Sequence, residues 1–268
     1  MSKGLIILLL LIIAAGFFLR INNLSERSLW TDEFFTLFDS SGQGSDIDNL
    51  LGSFSVSGQK KLMKAQDFKP FLKVNPKKNL KDVTRSLLET GAHPPLYSWI
   101  MHGWMNIFGD SALALRFFSL LMGLISIPLS FYTGIYLFSK KAAIFSAFLV
   151  AICAFSVRYS QEARAYSLVM ALTLASCIFL LRFEKYAKNR DAFLFALFSS
   201  LGLYTHYFYP FILFSQFIYF SIIHARETVK IRRFYLAFLG SLLFFSPWFV
   251  PVFLRGYNFR YAEWIFGY

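Results

Sequence analysis

Charged residues are scarce in this chain of 268 residues. Only 16% of the residues are charged, against 56% that are hydrophobic and 20% that are aromatic. A soluble domain carries more charge and fewer apolar residues, so the composition excludes an ordinary soluble globular protein. The mean hydropathy of +0.51 indicates a polytopic membrane protein. The fold class is predicted to be all-α, because the uncharged runs are too long and unbroken for the alternating strands of a membrane barrel.

Cysteine is scarce as well, and the common metal-binding spacings are missing. Cys153 and Cys177 both lie within apolar runs. They are predicted to be small core residues, which argues against a disulfide framework. The sequence has no HExxH or CxxC spacing. A divalent metal ion is left open as a cofactor, with Asp32 as its ligand, because hard cations bind carboxylate and phosphate oxygens together.

Acidic residues are outnumbered, with 15 Asp and Glu against 27 Lys and Arg, which leaves a net charge of +12. Most of the basic residues fall between apolar runs. Anionic head groups and membrane topology explain that pattern better than nucleic acid does. Membrane lipids are therefore expected as partners, and nucleic acid is not.

The apolar runs predict seven membrane crossings. They cover residues 4–19, 117–138, 142–157, 165–181 and 234–254, with two more in residues 192–223, which Pro210 divides. A cleaved signal peptide is the alternative for residues 4–19, but a retained anchor is favoured because the chain spans the membrane repeatedly afterwards. Residues 96–108 are too short to cross and predict an interfacial helix.

The short basic turns between spans decide the predicted orientation. They all fall on the side of the N-terminus, which the positive-inside rule makes cytoplasmic. We predict a seven-helix module over residues 1–254, in which residues 21–110 form a long outer loop with interfacial helices. The lysine-rich part of that loop, residues 60–85, is interrupted by prolines and predicts short surface helices. Residues 255–268 are read as the start of an outer segment, and the chain as either a fragment or a naturally short copy.

Ionisable residues from distant segments are predicted to meet at the outer face: Asp32, Glu33, His93, Glu162, Arg164 and His206. Charges near hydrocarbon are costly and are usually kept for function. This set fits transfer of a group from a lipid phosphate. Asp32 can act as the base on an acceptor hydroxyl, while Arg164 and His93 can stabilise the leaving phosphate.

Simpler interpretations of these residues stay open. The two adjacent acids can be solvated loop charges, and Glu162 can form an ion pair with Arg158, four residues before it. Arg164 can extend to head groups, and His206 can be a hydrogen-bonded histidine in an aromatic pocket. Arg116 begins a span and can pair with a nearby acid, Asp110, or face head groups.

Six short motifs follow one another along most of the chain. They are residues 29–33 (LWTDE), 93–97 (HPPLY), 108–111 (FGDS) with 114–116 (ALR), 160–166 (SQEARAY), 204–207 (YTHY) and 247–248 (PW). In this order they resemble the polyprenyl-phosphate-sugar glycosyltransferases of the GT-C superfamily. The similarity is to the dolichyl-phosphate-mannose–protein mannosyltransferase-like branch, which also includes the lipid A aminoarabinose transferases.

The resemblance implies an inverting transfer of a sugar from a polyprenyl-phosphate donor to a hydroxyl acceptor on protein, lipid or glycan. It places this activity at the outer face of the plasma (inner) membrane. It implies that Asp32, with Glu33, faces the acceptor, and that Glu162 and Arg164 line the donor site. His93 and His206 are predicted to bind the donor phosphate.

Two alternative functions come from other classes. One is a transporter or channel, which the charges disfavour because they lie at the ends of spans and not near the midplane. The other is a non-catalytic scaffold that binds polyprenyl lipids.

Overall fold

The computed structural model describes residues 2–43, 46, 70, 73–90 and 93–254, and the regular structure in these ranges is helical. The helices in chain order are α1 (Lys3–Ile21), α2 (Thr31–Ser41), α3 (Leu80–Thr90), α4 (Leu96–Phe108), α5 (Ala112–Leu137), α6 (Lys140–Ile152), α7 (Ala154–Ser160), α8 (Tyr166–Tyr186), α9 (Asn189–Leu203), α10 (Tyr209–Ile223) and α11 (Thr228–Leu254). The predicted all-α class is confirmed. Most of the lysine-rich part before α3, and the predicted outer segment 255–268, lie outside the described residues.

Several helices have the length and composition of membrane spans. In the described ranges these are α1, α5, α8 and α11, and α6 with α7 is a further candidate that bends by 55°. Helices α9 and α10 have 15 residues each. A helix of that length rises about 22 Å, less than the roughly 30 Å of a hydrocarbon core. The chain is therefore a multi-pass membrane protein, and the count of seven crossings stays a prediction.

The bend between α6 and α7 is stabilised from α1. The guanidinium of Arg20 is fully buried and donates to the carbonyl oxygens of Val150 (2.9 Å) and Ala151 (2.8 Å). These carbonyls lie in the last turn of α6, where backbone acceptors lack intrahelical donors. Arg20 also donates to the hydroxyls of Ser156 (2.8 Å) and Ser160 (3.2 Å) in α7. The arginine therefore holds three helices in a fixed arrangement.

Helix α5 is central and packs against α1, α6 and α8, while α9 joins α8 to α11. Small residues permit the closest approaches. A methyl group at Gly134 would collide with the backbone of Ala143, and one at Gly123 would overlap the hydroxyl of Ser160. Membrane helices use such contacts because lipid tails are as apolar as their side chains, so close packing provides the attraction.

Helices α2, α3 and α4 pack against one another near the start of α5. The bounds of α4 coincide with the predicted interfacial helix. Its side chains Tyr97, Met101 and Met105 are buried in a cluster with Leu115 of α5. The depth of α4 in a membrane stays a prediction. Pro210 lies in the first turn of α10, where a proline needs no N–H donor, and so separates α9 from α10.

Candidate active site

Both predicted catalytic acids lie in the first turn of α2. The backbone N–H of Trp30, the residue before the helix, donates to Oε2 of Glu33 (3.2 Å). Carboxylates are favoured at this position because the helix N-terminus carries unpaired N–H groups and partial positive charge. Consecutive helical side chains point about 100° apart, so Asp32 and Glu33 have different surroundings.

Glu33 points into the protein and pairs with Arg116. Its carboxylate is 0% exposed and receives two bonds from the guanidinium, at 2.7 Å from NH2 and 2.8 Å from Nε. Its Oε1 also accepts the backbone N–H of Ala163 (2.8 Å). Arg116 therefore pairs with Glu33, whereas Asp110, the partner considered from sequence, accepts from the backbone N–H of Val74 (3.0 Å).

The other N–H groups of Arg116 bind the segment between α1 and α2. They donate to three carbonyl oxygens at 2.9–3.0 Å, those of Leu24, Arg27 and Ser28. The guanidinium is thus fully satisfied by short bonds. Through it and Glu33, the start of α2 is joined to the start of α5 and to the loop after α7.

That loop, residues 161–165, is held from two further directions. Gln161 donates to three carbonyl oxygens at the end of α1, those of Leu19, Arg20 and Asn22. Glu162 accepts from Arg158 Nε at 2.5 Å and is largely buried. The i,i+4 ion pair considered as the simpler interpretation of Glu162 is therefore present. Glu162 does not line the cavity described below. The first three residues of the loop serve to hold it in place.

Arg164, the next residue, differs from Arg116 in its contacts. Its NH1 lies 3.2 Å from the backbone oxygen of Asp32 and 3.4 Å from Oγ1 of Thr36. Its NH2 lies 3.5 Å from Nε2 of His93 and 3.8 Å from Oδ2 of Asp32. All four distances exceed the roughly 2.7–2.9 Å of a good charge-assisted hydrogen bond.

The Nε of Arg164 is buried and has no hydrogen-bond partner among the described residues, and the side chain is 11% exposed. A buried donor without an acceptor is unfavourable by about 1–3 kcal/mol. The Asp32 carboxylate beside it is 36% exposed, so solvent or a substrate can reach it. This part of the site therefore offers a poorly satisfied cation next to an accessible carboxylate.

His93 lies in the segment before α4, which is tied to the loop between α9 and α10. The backbone N–H of Leu96 donates to the carbonyl oxygen of Tyr204 (2.9 Å). Burial, followed by the proximity of Arg164 and His206, lowers the pKa of His93 to about 3. The imidazole is consequently neutral near pH 7, and its Nε2 can accept from the guanidinium.

His206 lies between two aromatic rings, with centroid distances of 5.7 Å to Tyr166 and 5.2 Å to Phe208. Its Nδ1 accepts the backbone N–H of Phe208 (3.1 Å), so the proton of the neutral ring is on Nε2. Burial and then Arg164 lower the pKa of His206. The interpretation as a hydrogen-bonded histidine in an aromatic pocket therefore holds, although His206 also borders the cavity.

A small cavity brings the distant segments together. Its lining includes His93, Arg164 and His206 of the predicted set, together with Thr36 and Asp39 of α2. Thr36 and Asp39 were missed from sequence. The sequence pattern that could have indicated them is their spacing from Asp32. Thr36 and Asp39 follow it by four and seven residues, which places the three side chains near one face of a helix.

Within the described ranges, no three His, Cys, Asp or Glu side chains come together closely enough to hold a metal ion. Asp32 has Arg164 as its charged neighbour, which competes with a cation for the carboxylate. The role of Asp32 as a metal ligand stays a prediction.

Comparison with known proteins gives one family. No curated protein and no solved structure matches the chain. The family model described as dolichyl-phosphate-mannose-protein mannosyltransferase matches residues 92–250. This range covers more than half of the chain and includes the motifs of His93, Arg116, Arg164 and His206. The protein therefore belongs to the dolichyl-phosphate-mannose-protein mannosyltransferase family, a family of membrane glycosyltransferases.

Proposed function

We propose that this protein transfers a sugar from a polyprenyl-phosphate donor to a hydroxyl acceptor, with inversion at the sugar. The acceptor is a hydroxyl of a protein, lipid or glycan. The reaction takes place at the outer face of the plasma (inner) membrane, with the N-terminus in the cytoplasm. The observation that carries the proposal is the contrast between two arginines, since Arg116 is fully satisfied and Arg164 is not.

Arg164 is the proposed donor-phosphate site. Its hydrogen bonds are long and its Nε has no partner among the described residues, so a phosphate group can replace weak contacts by short, charge-assisted ones. The neutral imidazoles of His93 and His206 add donor and acceptor groups beside it without further charge. A phosphate leaving group is a stable anion, so it needs this positive charge more than a general acid.

Asp32 is the proposed general base. Its exposed carboxylate takes the proton of the acceptor hydroxyl as the acceptor oxygen attacks the anomeric carbon. The bond between that carbon and the phosphate oxygen breaks, and the electron pair leaves with the phosphate towards Arg164. Attack from the face opposite the phosphate inverts the anomeric centre.

Glu33 and Glu162 receive positioning roles in this proposal. Glu33 is buried against Arg116 and Ala163, and Glu162 is largely buried and paired with Arg158, so both acids are engaged in contacts within the protein. Both acids hold elements that carry the reacting groups, namely the start of α2 and the loop 161–165. The alternatives are a catalytic role for Glu33 and a donor-binding role for Glu162. Mutation can distinguish them from the positioning roles.

Residues 1–254 are proposed to form the catalytic membrane module. The motif order supports a place in the mannosyltransferase-like branch of the GT-C superfamily that includes lipid A aminoarabinose transferases.

The test is transfer by the purified full-length protein with a panel of polyprenyl-phosphate sugars and hydroxyl acceptors. Turnover of at least one donor, with loss of activity in Arg164→Ala, is expected. The proposal is overturned if no donor is turned over and Arg164→Ala binds polyprenyl phosphate as wild type does.

A further inference from the structure

The cavity has an acidic residue that the proposed reaction does not use. Asp39 of α2 is only 5% exposed, yet it lines the cavity with Arg164 and both histidines. Asp39 has contacts with the protein. A carboxylate that borders a cavity can also accept from ligand hydroxyls, since it offers about four acceptor positions.

The spacing along α2 places Asp39 beyond the proposed phosphate site. Arg164 reaches the helix at the backbone of Asp32 and at the hydroxyl of Thr36. Asp39 follows Thr36 by three residues, which is about 4.5 Å along the axis and nearly the same face. A group bound next to a phosphate on Arg164 is therefore within reach of the Asp39 carboxylate.

The surroundings of Asp39 are rich in hydroxyl groups. Thr36, Ser98 and Thr205 line the same cavity. His102 lies one turn after Ser98 on α4 and binds the backbone oxygen of Ser40, the residue after Asp39 (2.8 Å). That bond holds α4 against the end of α2 that carries Asp39. Carboxylates and hydroxyls together accept from and donate to sugar hydroxyls.

We propose that Asp39 binds hydroxyl groups of the donor sugar and so determines which sugar is accepted. This inference rests on the proposed function, since it assumes that Arg164 holds the donor phosphate. Asp39 is a binding residue here and not a base, because the reacting hydroxyl approaches Asp32, two helical turns away.

The experiment compares two ligands in the full-length protein. Binding is measured for polyprenyl-phosphate mannose and for the same polyprenyl phosphate without a sugar, and then for whichever panel donor is transferred. Asp39→Ala is expected to weaken binding of the glycosylated lipid by about ten- to hundredfold, the range for a lost charge-assisted hydrogen bond, and to leave the sugar-free lipid unchanged. Asp39→Asn keeps an acceptor oxygen and is therefore expected to lose less affinity for the glycosylated lipid than Asp39→Ala does. Arg164→Ala is expected to weaken both ligands.

Asp191→Asn is the matched control. This acid is also buried, and it pairs with Arg182 of α8 (2.8 Å). Arg182 lies about 24 Å along α8 from Tyr166, which borders the cavity. It is expected to leave both affinities unchanged. Equal weakening of both ligands by Asp39→Ala, or no change in either, overturns the assignment of Asp39 while Arg164→Ala still supports the proposed function. Unchanged binding of both ligands in Arg164→Ala overturns the proposed function itself.

Discussion

Glu33 and Arg116 form a buried ion pair, with 2.7 Å between Oε2 and NH2, that joins the start of α2 to the start of α5. The two residues are 0% and 3% exposed, and each has further hydrogen bonds to backbone groups. Buried pairs of this kind contribute little net stability compared with apolar packing, but they define one arrangement of the elements that they join. Helix α2 carries Asp32, and Glu33 also accepts from the backbone N–H of Ala163 in the loop that carries Arg164.

Removing one partner of that pair is expected to destabilise the protein. Glu33→Gln leaves the Arg116 charge buried without a counter-ion, and breaking such pairs reduces stability by about 3–5 kcal/mol. Thermal unfolding in detergent should therefore show a clear drop in midpoint temperature, together with weaker donor binding. If Glu33→Gln keeps wild-type stability but loses activity, Glu33 is catalytic and the positioning role is wrong.

Asp32→Asn is expected to act on rate and not on stability. General-base catalysis is typically worth about 10²–10⁴-fold, and the side chain is partly exposed and not packed in a core. Transfer rate against pH is the measurement, with Glu26→Gln as a control because Glu26 is an exposed acid of the preceding segment. A variant that keeps more than about a tenth of the wild-type rate would remove Asp32 from the role of base.

Arg164→Ala is expected to weaken binding of polyprenyl phosphate by about 1–3 kcal/mol, the scale of a charge-assisted hydrogen bond. Arg164→Lys should restore only part of the lost affinity, because an ammonium group lacks the planar, two-pronged donor geometry of the guanidinium. Arg232→Ala is the control, since Arg232 is exposed near the start of α11, beyond the far end of α10. Wild-type affinity in Arg164→Ala would mean that this arginine does not bind the donor.

Low pH is expected to destabilise the protein, because His93 resists protonation in the folded state. Its pKa is about 3 in the folded state and near 6.5 in an unfolded chain. Between these values the unfolded state binds more protons, so the stability that this residue contributes is complete above pH 6.5 and is lost as the pH falls towards 3. His206 acts in the same direction. His93→Gln should therefore flatten the fall in midpoint temperature between pH 7 and pH 4.5, whereas Lys77→Gln, an exposed change, should not. An unchanged slope in His93→Gln contradicts the prediction.

The orientation is tested by cysteine labelling in cells, in a background without Cys153 and Cys177. A membrane-impermeant thiol reagent is expected to label Lys77→Cys, before α3, and to spare Asn189→Cys, at the start of α9. The reason is the predicted bias of short basic turns towards the cytoplasm. The reverse pattern would place the cavity on the cytoplasmic side and remove the outer-face reaction.

Local patterns were sufficient for the helical class and for several elements. Uncharged runs of span length can satisfy their backbone groups in lipid as helices, so apolar composition alone predicts them. The bounds of α4 and the division at Pro210 follow from local signals, because chain length and a missing N–H act within one turn. The bend at the end of α6 has no local signal, since it depends on Arg20, more than a hundred residues earlier in the chain.

The roles of the charged residues likewise depend in part on local sequence motifs and in part on tertiary packing. The sequence by itself determined which ionisable residues belong to the motifs, and the structure brings His93, Arg164 and His206 together at one cavity. Only the tertiary structure decided that Glu33 is buried against Arg116 and that Asp39 borders the cavity. Residues adjacent in a helix face different directions, and whether a carboxylate meets a partner, solvent or a cavity depends on packing against distant segments. That packing is decided by contacts across the whole chain, which local patterns do not contain.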